Sequence, residues 1–139
     1  MLPKTFLLAV VVALMSGVSA IFEKASLRDA TAGTVFTIRS LYMTLLLLAY
    51  ALFSGEYRAL TQVSGRTLGL ILLPGSLAVV FLLIYYSILK QDLASRVVPI
   101  IAGAPLVTVL LSVLFLGEPF SWKRLLGALL IVGGVSLVK

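Results

Sequence analysis

Cysteine and histidine are both absent from the 139 residues, and only five carboxylates accompany eleven lysines and arginines. Without thiols or imidazoles the chain has no disulfide, no thiol nucleophile, no histidine base and none of the common zinc sites. The Ser/His, HExxH and paired-aspartate arrangements of hydrolases are missing, as are the glycine patterns that cradle nucleotides. Neither a metal nor a cofactor is therefore expected, and the chain does not read as an enzyme. Charged residues make up only 12% of the sequence, too few for a disordered chain. The basic residues sit at the ends of apolar runs, which differs from the single stripe of a nucleic-acid-binding face, so no nucleic acid partner is expected.

What the sequence has in excess is apolar side chains, at 61%. An ordinary soluble domain has roughly 45–50% even with glycine counted, so the solvent of this chain is a bilayer and membrane lipids are its first partners. Lys4, the apolar run after it and the small residues Val18, Ser19 and Ala20 resemble a secretory signal. The rest of the chain is equally apolar, however, and a retained first span is expected.

About 30 Å of hydrocarbon takes roughly 17–25 helical residues, and clusters of charge and turn residues divide the chain into pieces of that size. Five spans result: Thr5 to Phe22, Val35 to Phe53, Thr67 to Leu89, Val97 to Leu116 and Trp122 to Val138. Leu-rich runs without strand alternation favour five helices over a barrel, each helix satisfying its own backbone in lipid. The expected fold is thus all-α and integral to the membrane, one domain over residues 1–139. Ser121 stands where a cap for the last helix is expected, and Trp122 has the amphipathic ring favoured at headgroup depth.

With an odd number of spans the termini face opposite sides. Lys4, Arg58, Arg66, Lys123 and Arg124 then oppose Lys24, Arg28, Arg39, Lys90, Arg96 and Lys139, a near tie under the positive-inside rule. Two arrangements remain open: insertion in both directions, giving an inverted pair of copies, or one orientation fixed by the first helix.

The last third carries the most specific pattern. Tyr85 to Lys90 is an aromatic-small-leucine-lysine phrase, a proline-bearing span ends in Leu116, Gly117 and Glu118, and a glycine-rich helix from Gly127 to Val138 closes the chain. Phe22, Glu23 and Lys24 at the end of the first span and Arg39 early in the second extend the likeness. The chain resembles an EamA-type domain of the drug/metabolite transporter superfamily, in particular its short single-domain bacterial and archaeal members. Larger members carry two such five-helix halves in inverted orientation. The resemblance implies an exporter or exchanger of small metabolites or amphipathic compounds in the cytoplasmic (inner) membrane, paired as an antiparallel homodimer around a small-molecule substrate. The alternatives are a flippase of lipid-linked sugars and a non-transporting membrane assembly subunit. The small multidrug resistance proteins are more distant, having four spans and a carboxylate deep in the first.

Individual residues carry candidate roles. Arg39 either snorkels to phosphates or turns inward with Glu23 and Lys24, forming a cluster for an anionic substrate group, with Glu23 as a candidate proton-coupling group and sodium coupling equally open. Tyr42 is the cavity candidate among the tyrosines, whereas Tyr85 and Tyr86 line a cavity mouth or anchor at the interface. Pro105 predicts a kink in the fourth span, because it cannot donate to the Ile101 carbonyl, and the bent helix with its freed carbonyl either builds part of a substrate site or is a tolerated membrane proline; Pro74 raises the same question for Leu70. Pro99 is expected in the first turn of its helix, where it is a favourable start. Arg96, with Asp92 and Ser95, reads as a cap and interface set. Glu118 reads as an orienting or gating carboxylate near Lys123 and Arg124. Gly127 and Gly134, seven apart, lie close to one helical face, suited to tight packing within the unit or between copies.

Overall fold

A computed structural model describes residues 3–137. It contains α1 (Pro3–Ser26), α2 (Ala32–Ser54), α3 (Tyr57–Leu60), α4 (Gly65–Gln91), α5 (Ala94–Ile101), α6 (Ala104–Leu116) and α7 (Trp122–Val135), with no strand among the described residues. Four segments are long and apolar enough to cross a membrane: Lys4–Ser26, Ala32–Ser54, Gly65–Gln91 and, counted across a break, Ala94–Leu116. α7 is a fifth apolar helix of 14 residues. It ends at Val135, with Ser136 donating to the Gly133 carbonyl at 2.6 Å; Val138, the expected end of this span, lies outside the described residues. An all-helical chain of this kind fits an integral membrane protein.

Local chemistry sets the helix ends. Thr31 accepts from the Thr34 amide at 3.2 Å and caps α2, and Ser64 does the same for Thr67 at the start of α4. Gly55 and Gly117 end α2 and α6 with φ of 78° and 65°, in the left-handed region that a Cβ disfavours. Ser121 takes the N-cap position of α7 but makes no side-chain capping bond, contrary to its expected role.

The fourth span departs furthest from expectation. It divides into α5 and α6 at Ala102 and Gly103, and Pro105 stands in the first turn of α6, where no amide donor is needed. The predicted kink is therefore a full interruption just before the proline. Pro99 is corrected in the opposite sense. Because α5 begins at Ala94, Pro99 lies inside that helix rather than in its first turn. Pro74 lies inside α4, which continues unbroken around it. α1 extends to Ser26 and carries Glu23 and Lys24 within its last turns.

The chain forms two compact units, one of Met1–Phe22 with Asp92–Lys139 and the other of Glu23–Gln91. In the second, α2 packs on α4, and Leu27, Tyr86 and Leu89 are buried. In the first, α5 and α6 pack on α7. There a Cβ at Gly103 would crowd the Ile100 carbonyl oxygen at 3.2 Å and meet Val132 Cγ2 of α7 at an ordinary contact distance of 3.6 Å. α2 has no buried residue at all. That would be ruinous in water, but lipid tails solvate such a surface without penalty.

The glycines give a stability test by reversible unfolding in mixed micelles. Gly117→Ala forces a Cβ into the left-handed region and is expected to cost about 1–2 kcal/mol. Gly69→Ala meets nothing within 4 Å in mid-helix and is expected to leave stability unchanged or raise it by about 0.5–1 kcal/mol.

Candidate functional site

Within the Glu23–Gln91 unit, three helix segments bring charge and hydroxyls together. Glu23 lies in the last turn of α1, Arg39 about two turns into α2, and Tyr85 and Tyr86 about a turn and a half before the end of α4. Arg39 Nη1 donates to both Glu23 Oε1 and the Tyr86 hydroxyl. Tyr85 completes the arrangement by donating to the other carboxylate oxygen, Glu23 Oε2, at 3.1 Å. One carboxylate thus receives a guanidinium on one oxygen and a phenol on the other.

Burial grades these groups. Tyr86 is wholly enclosed, packed at 6.1 Å between ring centres against Phe36 and at 5.4 Å against Tyr85. The Glu23 side chain is 12% exposed, whereas Arg39 retains 39%. The Glu23 side chain is therefore the more enclosed of the pair and the Arg39 side chain the more exposed. Arg39 is seven residues past the start of α2, a depth of about 10 Å. A cation there is too deep for indifference and shallow enough to be approached from one membrane face.

Two lysines secure the same end of the unit. Lys24 Nζ donates to the Leu89 carbonyl at 2.5 Å and the Lys90 carbonyl at 3.2 Å, while Lys90 Nζ donates to Ala30 O at 2.8 Å. A lysine on the last carbonyls of a helix meets the negative end of its dipole. Lys24 therefore holds α1 to the end of α4 beside the Glu23–Arg39 pair, and the expected trio of Glu23, Lys24 and Arg39 is divided between two jobs.

The other sequence candidates fall elsewhere. Tyr42 is 62% exposed and outside the cluster. Tyr86, which the sequence offered as a cavity-mouth residue or an interfacial anchor, is fully buried within it. Adjacent tyrosines on a helix point about 100° apart, and no single-sequence signal says which one faces inward. Gly127 and Gly134 have nothing within 4 Å of where a Cβ would stand, so neither is filled by packing among the described residues. Arg96 lies 3.7 Å from Asp92 one turn away, both about half exposed, and Asp92 Oδ1 accepts from the Leu93 amide at 2.6 Å.

The other unit holds a cavity of about 300 Å³ beside α6 and α7, lined by Thr108, Ser112, Glu118, Pro119, Ser121 and Arg124 among others. Glu118 and Arg124 pair across it at 3.5 Å, half exposed, which gives Glu118 a local partner of the expected kind. Pro105 is outside its lining. No cluster of metal-ligating side chains occurs among the described residues.

Enclosure predicts unequal sensitivity among the tyrosines. Removing the Tyr86 ring by Tyr86→Ala is expected to lower unfolding stability by about 3 kcal/mol or more, in line with buried aromatic truncations. Tyr42→Ala should change it by less than about 1 kcal/mol. Chemical unfolding in mixed micelles measures both.

A family model and one relative point to a membrane transporter. The model of the EamA-like transporter family matches residues 3–139. An uncharacterized transporter encoded in the cobO 3' region of a Sinorhizobium species is 25% identical over 130 residues, 94% of this chain and 92% of the relative. An uncharacterized protein of Methanocaldococcus jannaschii is 42% identical over 57 residues, 41% of each chain. No solved structure matches.

Proposed function

Because the chain belongs to the EamA-like transporter family, we propose that it is a secondary carrier of small molecules across the cytoplasmic membrane, using the Glu23–Arg39–Tyr85–Tyr86 cluster as its substrate and coupling site. The observation that carries this reading is an ion pair and two phenols gathered inside apolar, membrane-length helices. Ionisable groups in such segments are expensive, and they characteristically mark the path of a substrate or ion. A purely structural pair at this depth is replaceable by packed apolar side chains at little cost in stability.

The carrier works, in this proposal, as an antiparallel homodimer by alternating access. Five helices enclose only a narrow path, and two inverted copies reproduce the two-repeat plan of larger carriers. Three features support the pairing. The Lys and Arg tally is nearly even between the two sides, α2 has no buried residue, and Gly127 and Gly134 present open small-residue positions on α7 suited to close helix contact in lipid. The Sinorhizobium relative, named a transporter, is matched over 92% of its own length, which supports a working unit of this short size.

Uptake of a labelled metabolite panel into reconstituted vesicles tests the assignment. Glu23→Gln and Arg39→Gln are each expected to reduce flux at least tenfold, a change of about 1.4 kcal/mol in the barrier, whereas Asp92→Asn at an exposed pair should keep it. Full flux in both cluster variants would remove the cluster from the mechanism. For the dimer, Gly134→Leu should shift the protein toward monomer in mild detergent, and a label at each terminus should be reachable from both membrane faces.

A further inference from the structure

We infer that this site couples one proton to one monocarboxylate: the substrate's carboxylate takes the place of Glu23 on the Arg39 guanidinium, and Glu23 takes up a proton as it leaves. The inference rests on the transport reading above and names its substrate class and driving ion.

Charge constancy is the first reason. Arg39 is charged in every state, and Glu23 is its ion-pair partner among the described residues. Inside a membrane-length helix, a lone guanidinium and a guanidinium crowded by two carboxylates are both unfavourable. The favourable states carry one negative charge on Arg39, held either by Glu23 or by the incoming ligand. A carboxylate that binds therefore requires Glu23 to be neutral. The charge it replaces is a single one, which selects a monocarboxylate over a phosphate dianion.

The surrounding groups permit this exchange. From α1, Lys24 engages the Leu89 and Lys90 carbonyls, and from α4, Lys90 engages Ala30 O. From α4, the Tyr85 and Tyr86 hydroxyls face Glu23 and Arg39. Tyr85 donates to Glu23 Oε2 while that group is ionised. A phenol can equally accept, so Tyr85 can receive the new O–H once Glu23 is protonated, which an ammonium in its place could not do.

Exposure separates the two roles. Glu23 is 12% exposed and Arg39 39%, so the ligand's partner is the more accessible and the proton's acceptor the more enclosed. Both of the guanidinium's side-chain bonds leave from Nη1, so a carboxylate that bridges Nη1 and Nη2 in the paired N–H···O contacts it favours meets Glu23 at Nη1 and takes its place there. In the binding step, one carboxylate and one proton enter, the Arg39–Glu23 contact is exchanged for an Arg39–ligand contact, and net charge in the site is unchanged.

The test uses purified protein in weakly buffered detergent solution with acetate, lactate and benzoate as probes, and lactamide and ethanolamine as neutral and cationic controls. The expected result is one proton taken up for each carboxylate bound, with a protonated-carboxyl band appearing in the infrared difference spectrum. Glu23→Gln should bind the same acids with no proton uptake and without that band. In vesicles, lactate should accumulate along a pH gradient faster than in protein-free vesicles and in vesicles of Arg39→Gln, and this added rate should ignore an imposed membrane potential. Carboxylate binding without proton uptake in the unmodified protein overturns the inference, as does failure of all three acids to bind. Flux of lactamide or ethanolamine that is sensitive to Glu23→Gln and Arg39→Gln, with no carboxylate flux, overturns it while leaving the transport reading intact. Variants that transport an unrelated solute at full rate overturn the transport reading itself.

Discussion

A guanidinium held about two turns inside an apolar helix must find its counter-charge within the protein, and the architecture of the Glu23–Gln91 unit follows from that need. Arg39 of α2 reaches the last turn of α1 for Glu23 and the last turns of α4 for Tyr86. Three helix segments are thereby tied at one level. Lipid offers no hydrophobic drive to bring helices together, so packing and polar contacts of this kind set which helices are neighbours. Elsewhere the unit has little to hold it. Its buried residues, Leu27, Tyr86 and Leu89, lie around the same cluster.

The same constraint links fold to function. Replacing an enclosed ion pair with apolar side chains is often neutral or favourable for stability, so the retention of one here agrees with a role beyond holding helices. A fully satisfied carboxylate, with a guanidinium on one oxygen and a phenol on the other, is a group whose neutralisation rearranges several bonds at once. That property suits a site which must alternate between two occupied states. The membrane family to which the chain belongs supplies the class of activity, and the role of the cluster in it is the proposal made above.

Much of this was legible in the sequence, for identifiable reasons. Apolar runs of membrane length admit one economical backbone structure, so the helices and their approximate limits could be read from hydropathy and from charges such as Arg28, Arg66 and Lys90. The meeting of Glu23 with Arg39 was one of two readings the sequence left open, because a short connection returns the chain to the same membrane face while a shallow arginine can equally snorkel. Rotational detail was hidden. Whether Tyr85 or Tyr86 faces inward, and that Lys24 turns to the carbonyls of α4, depends on helix rotation about the axis, which periodicity barely specifies when every face is apolar. The fourth span misled in another way. Pro105 signalled a bend, but the helix stops at Ala102 and Gly103 just before it, and the earlier start at Ala94 moved Pro99 from a first turn to a helix interior.

The central claim is that Glu23 and Arg39 depend on each other inside the membrane, and a double-mutant cycle measures that dependence directly. Unfolding free energies in mixed micelles would be compared for the unmodified protein, Glu23→Gln, Arg39→Gln and the two combined. The account predicts that each single change destabilises by leaving its partner uncompensated, and that the double variant recovers at least about 1 kcal/mol relative to the sum of the two. Strictly additive losses would mean that the two groups do not rely on one another, and would contradict it.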